Sequence, residues 1–82
     1  MGLKKLAAKV AAYKEQVEAG TASKIESKHV EKVLAKLRKN EAKLEQKLAT
    51  TKNPEDRQQI ERKLAVAREQ IARADWLRGM VN

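Results

Sequence analysis

Residues 30–78 read VEKVLAKLRKNEAKLEQKLATTKNPEDRQQIERKLAVAREQIARADWLR. Two series of apolar or small residues flank a hinge at positions 50–54 of this sequence. Before the hinge they are Val30, Leu34, Leu37, Leu44 and Leu48, and after it they are Ile60, Leu64, Ala67, Ile71 and Ala74. Each series advances in steps of three and four, with Glu41 in the one missing position. This is the spacing of residues on one face of an α-helix.

Folding the chain at the hinge brings the two series face to face. Because short loops make sequential helices antiparallel neighbours, the pattern predicts a long antiparallel helical hairpin. The predicted pairs are Leu48 with Ile60, Leu44 with Leu64, Glu41 with Ala67, Leu37 with Ile71, and Leu34 with Ala74. We call this contact the seam. Glu41 is a carboxylate on the seam that Arg38 or Arg68 can reach, and we interpret it as a device that selects the register of the helices.

The third helix has the clearest start signals in the chain. Asn53 is a favoured N-cap, and Pro54 suits the first helical position because the missing N–H has no intrahelical partner there. We therefore predict a helix over 54–78, stopped by Gly79, with the last residues of the chain frayed.

Two helices are predicted before the hinge. Ser23 and Glu26 form a capping box, which predicts a helix over 24–49. Gly20 suits the left-handed residue that follows a helix end, and we predict that the first helix spans 3–18.

The first helix is amphipathic, and we expect it to dock on the hairpin rather than on a membrane. Its apolar residues are Leu3, Leu6, Val10, Tyr13 and Val17. A second, partly apolar strip runs beside the seam on the two long helices: Ile25, His29, Val33, Asn40, Val66, Gln70 and Leu77. The strip lies on one side of the hairpin and forms a groove that the first helix can fill. The predicted fold is all-α, a hairpin with a shorter N-terminal helix, similar to a three-helix bundle.

Composition limits the classes of function open to this chain. It has 82 residues, which we take as a single domain, 1–82, and it contains no cysteine. A disulfide framework and a Cys-based zinc site are therefore excluded. No apolar run approaches the roughly 20 residues that span a bilayer, so we expect a soluble, cytoplasmic protein. So thin a core leaves homo-oligomerisation open.

No arrangement of residues indicates catalysis, a cofactor or a metal site. The three glycines lie at chain or helix ends, so no Gly-rich phosphate loop is present. His29 is the only histidine, and no repeated Glu-x-x-His pair accompanies it. We expect His29 to be a half-buried residue of the groove and the protein to be non-enzymatic.

A row of lysines along the second helix, away from the seam, is the strongest functional signal. This lysine stripe consists of Lys24, Lys28, Lys32, Lys36, Lys39, Lys43 and Lys47. Lysine without interleaved aromatic residues favours contact with carboxylates or phosphates over the reading or stacking of bases. The predicted partner is an acidic protein surface or a nucleic-acid backbone. A solvated face that only keeps the chain in solution is the remaining interpretation.

Trp76 is the second candidate contact, on the face of the third helix opposite the seam. Tryptophan is enriched in protein interfaces, and the small residues Ala65 and Ala72 on the same face leave room for another helix. Partial cover of the indole by Arg73 and Met80 is the alternative.

These surfaces predict a small helical interaction protein, an adaptor or assembly factor that binds a larger partner or other helices. The alternative function is binding of nucleic acid through the phosphate backbone, without sequence specificity.

Overall fold

The computed structural model describes residues 2–21 and 25–81, and this part of the chain folds into three α-helices. They are α1 (Leu3–Glu18), α2 (Ser27–Thr50) and α3 (Pro54–Met80). α2 and α3 form an antiparallel hairpin, and the shorter α1 packs against both. The molecule is elongated, with extents of 46, 19 and 18 Å. The predicted all-α hairpin with a shorter first helix is confirmed.

Side chains fix the hinge by bonding to the backbone. The Asn53 side chain accepts a hydrogen bond from the Glu55 N–H at 2.9 Å, which confirms the predicted N-cap. Arg57 Nη1 donates to the carbonyl oxygens of Leu48 at 2.8 Å and Thr51 at 3.0 Å. The last carbonyls of a helix have no intrahelical donor, so Arg57 supplies one from the opposite helix. This role of Arg57 was not predicted from the sequence.

α1 ends as its sequence predicts. Gly20 has a φ of +79°, in the left-handed region that favours glycine. The Gly20 N–H donates to Val17 O at 3.1 Å, and the Thr21 N–H donates to Gln16 O at 2.8 Å. These two bonds form a Schellman motif, which satisfies the free carbonyls at the end of α1.

α2 begins at Ser27, so the predicted start at Lys24 is wrong. Glu26 is the N-cap, has an extended backbone and makes no side-chain capping bond. Ile25 precedes the helix and is 4% exposed, because it packs into the core from the connecting segment. This burial favours an extended entry over another helical turn. Ser23 of the predicted capping box and Lys24 lie outside the described residues.

α3 continues through Gly79 to Met80, so the predicted stop is wrong. Val81 follows the helix, is 5% exposed and belongs to the hydrophobic core. Its N–H donates to Leu77 O at 3.1 Å. Burial of Val81 holds the last turn together in spite of the low helix propensity of glycine. The predicted fraying is therefore wrong for Met80 and Val81, and Asn82 lies outside the described residues.

The hydrophobic core lies at the open end of the hairpin, opposite the hinge, where α1 covers it. From α1, Leu6 and Val10 are fully buried. The other buried members are Ile25, Val30, Val33, Leu34, Leu37, Ala74, Leu77 and Val81. Toward the hinge, Leu44, Leu48 and Ile60 of the seam are only partly buried. Burial of the seam residues of α2 thus decreases from the open end to the hinge, whereas Leu64 and Ala67 of α3 are buried.

Candidate interaction surface

The lysine stripe lies on the solvent side of α2. Of its described members, Lys36 is partly buried, and the exposed ones are Lys28, Lys32, Lys39, Lys43 and Lys47. Lys28 Nζ lies 3.3 Å from a carboxylate oxygen of Glu26. Within residues 2–21 and 25–81, the other lysines of the stripe form no ion pair shorter than 4.0 Å. Lys24 lies outside these ranges.

Cations from α1 and α3 extend the stripe across the molecule. Lys9 of α1 lines a shallow cavity of about 430 Å³ together with Lys32 and Lys36 of α2. Lys4 of α1 lines a second cavity with Lys43, Lys47, Arg62 and Lys63. We call the combined set the basic face: Lys4, Lys9, Lys32, Lys36, Lys43, Lys47, Arg62 and Lys63. Its members from α1 and α3 were not predicted from the sequence, because only the docked position of α1 brings these helices' cations beside α2.

On the other side of the hairpin, one arginine pairs with two carboxylates. Arg68 Nε lies 3.2 Å from Glu41 Oε2, and Arg68 Nη2 lies 3.1 Å from Glu45 Oε1. The hydrogen bonds that Arg68 donates to Glu45 and Glu41 raise the pKa of Arg68 above its ordinary value. Glu41 is thus reached by Arg68 across the hairpin, one of the two arginines named from the sequence. Its role in selecting the register stays a prediction.

The groove is filled by α1 at the open end and remains open near the hinge. Leu77 and Gln70 are buried, as expected of residues under α1. Val66 is 43% exposed, because α1 begins at Leu3 and extends no further toward the hinge. The open part is a cavity of about 590 Å³ with an apolar floor of Leu3, Ala7, Leu44 and Val66. Val66 therefore lies in the groove, as predicted, but α1 does not cover it.

His29 is exposed, so its predicted half-buried position in the groove is wrong. Its side chain is 56% exposed, and Nε2 lies 3.6 Å from a carboxylate oxygen of Glu26. Ile25, just before α2, and Val33, one turn after His29, are buried in the core and leave the imidazole exposed. Within the described part of the chain, no three His, Cys, Asp or Glu residues are grouped closely enough to hold a metal ion.

Trp76 is 47% exposed, and the neighbouring Met80 is 49% exposed. The indole lines a shallow cavity of about 360 Å³ with Lys14, Glu69, Ala72 and Arg73. Ala65 lies about three helical turns away and lines a different cavity, next to Leu48. The structure therefore brings Ala72 beside Trp76 and keeps Ala65 apart from both.

None of the helices in the described ranges is both long and apolar enough to cross a bilayer. No protein family matches the chain, and neither does any curated protein or solved structure.

Proposed function

We propose that this chain is a small non-enzymatic interaction protein that binds an acidic surface on a larger protein, as an adaptor or assembly factor does. The separation of its charges is the main support. Cations on the basic face have no described carboxylate partner within ion-pair distance, whereas Arg68 on the other side contacts two carboxylates. The chain as a whole carries a net charge of +8.

The basic face is unfavourable for the isolated chain. Lys32 and Lys36, and likewise Lys43 and Lys47, are four residues apart on α2. Like charges at this spacing destabilise a helix by about 0.2–0.5 kcal/mol per pair. Carboxylates of a partner would replace this repulsion with attraction, and they would also accelerate the encounter of the two proteins.

The surroundings of the cations favour a protein partner over nucleic acid. The basic face borders the apolar floor formed by Leu3, Leu44 and Val66. A phosphate backbone has no apolar group to place against such a floor, but an acidic protein surface commonly does. Trp76, which could stack on a base, lies near Lys14 on a different cavity.

A comparison of two triple variants tests the proposal. Lys32, Lys36 and Lys43 are replaced by glutamine in the first variant, which removes charge from the basic face. The control replaces Lys14, Arg38 and Lys52 by glutamine, which removes the same charge from elsewhere. Binding of each protein to a labelled poly-glutamate peptide and to random duplex DNA is measured by fluorescence anisotropy over a series of salt concentrations.

We expect the basic-face variant to lose about tenfold or more in affinity for poly-glutamate and the control to lose about threefold or less. Equal losses in the two variants would mean that only net charge matters, and the proposal would be wrong. Tighter binding to DNA than to the peptide, with a log–log salt slope near 0.9 per phosphate contacted, would favour the nucleic-acid alternative.

A further inference from the structure

We infer that the open part of the groove, next to the hinge, binds an acidic amphipathic helix of the partner protein. The inference rests on the proposed function and goes beyond it. It assigns specificity to one part of the basic face and defines the chemistry and shape of the segment bound there.

The groove is longer than the helix that fills it. α1 has 16 residues and α3 has 27, which correspond to lengths of about 24 Å and 40 Å. The first turns of α1 line the cavity together with Leu44 of α2 and Val66 of α3, so the uncovered length lies on the hinge side. α3 is therefore about 16 Å longer than α1, and this difference matches the length of a helix of about ten residues.

The floor of this open part is apolar and accessible. Val66 is 43% exposed, and Leu44 is only partly buried on the seam. Leu3 and Ala7 from the first turns of α1 complete the apolar floor. A cavity of about 590 Å³ lies in the range of ligand pockets and offers room for apolar side chains of a partner. An apolar stripe on one face of a helix has this shape.

The rim selects for negative charge. Its cations are Lys4, Lys43, Lys47, Arg62 and Lys63, and no carboxylate is among the described residues that line the cavity. The N-terminus of α1 faces the same space. Its N-cap is Gly2, which has no side chain to cap the helix, and its first turn contains no acidic residue. The positive end of the helix dipole therefore adds to the field of the five cations.

Charge complementarity distinguishes this occupant from two others. A second copy of the chain would bring another net charge of +8 to a cationic rim. A nucleic acid would satisfy the cations and leave Val66 and Leu44 in contact with water. Glutamates or aspartates on both sides of an apolar stripe match the rim and the floor together.

The test uses two labelled peptides of about 14 residues with the same composition of leucine, alanine and glutamate. In the first peptide the leucines recur at helical spacing on one face, and in the second they are distributed around the helix. Each is titrated with the wild-type chain, with Val66→Asp and with Ala65→Asp, by fluorescence anisotropy. The two variants gain the same charge at adjacent exposed positions of α3, but Ala65 lines a cavity on the other side of the hairpin. Circular dichroism verifies that each variant is folded.

We expect the amphipathic peptide to bind about tenfold more tightly than the permuted one. Val66→Asp should weaken its binding about tenfold or more, and Ala65→Asp about twofold or less. If both peptides bind equally and both variants weaken them equally, the groove inference is overturned while the proposed function stands. If neither peptide binds and poly-glutamate does not bind either, the proposed function falls as well. Binding of anionic vesicles in place of the peptide, weakened by Val66→Asp, would overturn the helix assignment in favour of a lipid.

Discussion

The unequal burial of two leucines on the seam predicts a large difference in their effect on stability. Leu37 is 0% exposed in the core under α1, whereas Leu44, about two turns closer to the hinge, is only partly buried. Leu37→Ala and Leu44→Ala make the same chemical change in the interior of the same helix. Helix propensity therefore contributes equally to both, and the difference between them reports packing.

The magnitude follows from burial. Truncating leucine to alanine removes three side-chain carbons. At about 0.8 kcal/mol for each buried methylene or methyl group, the loss in transfer free energy is about 2.4 kcal/mol. At Leu37 the neighbours come from α1 and α3 and cannot collapse fully, so a cavity term raises the cost to about 3–5 kcal/mol. At Leu44 water enters the space through the open groove, which leaves a cost of about 1–2 kcal/mol.

Urea denaturation followed by circular dichroism and by Trp76 fluorescence measures both costs. Domains of this size have a free energy of unfolding of about 4–12 kcal/mol, so Leu37→Ala should remove a large fraction of it. If that variant is unfolded without urea, both variants are refolded by titration with a stabilising osmolyte, and the concentrations that they need are compared. Equal shifts of the two midpoints would refute the burial gradient and the docked position of α1.

Gln70→Leu should raise the free energy of unfolding by about 1–2 kcal/mol, because Gln70 Oε1 is buried without a hydrogen-bond partner among the described residues; a lower melting temperature would contradict this. Arg57→Ala should cost about 1–2 kcal/mol in urea denaturation, because two carbonyls at the hinge lose their donor, whereas Arg57→Lys should cost less. Glu41→Leu should keep or raise thermal stability but broaden the choice of register or oligomeric state, measured by light scattering on a sizing column. A marked loss of stability in that variant would instead show that the contact with Arg68 is structurally required.

Local signals explain why much of the fold could be predicted from the sequence. The three-four spacing of the seam and the capping residues Asn53 and Gly20 depend only on residues nearby in the sequence. They can therefore be recognised without knowledge of the tertiary structure. The start of α2 and the end of α3 were predicted wrongly for the opposite reason. Ile25 shortens α2 and Val81 lengthens α3, because both residues pack into a core that is formed by distant parts of the chain.

The candidate surface was predicted where it lies on one helix and missed where it crosses helices. Periodicity gives the direction in which a residue points from the helix axis, so the lysines of α2 were found as a stripe. It does not give the position of one helix along another. The sequence therefore did not predict that Lys4 and Lys9 belong to the basic face. Nor did it predict that α1 leaves Val66 uncovered and that His29 is exposed.

The hinge and the core lie at opposite ends of the molecule, and this separation shapes the route by which the chain folds. The hinge joins helix ends only a few residues apart, so it closes at a small cost in loop entropy. Most apolar burial is gained later, when the open end closes and Leu6 docks. We expect Arg57→Ala to slow folding and Leu6→Ala mainly to accelerate unfolding, which stopped-flow chevron plots distinguish. The turn then determines how quickly the molecule forms, and the packed open end determines how long it persists.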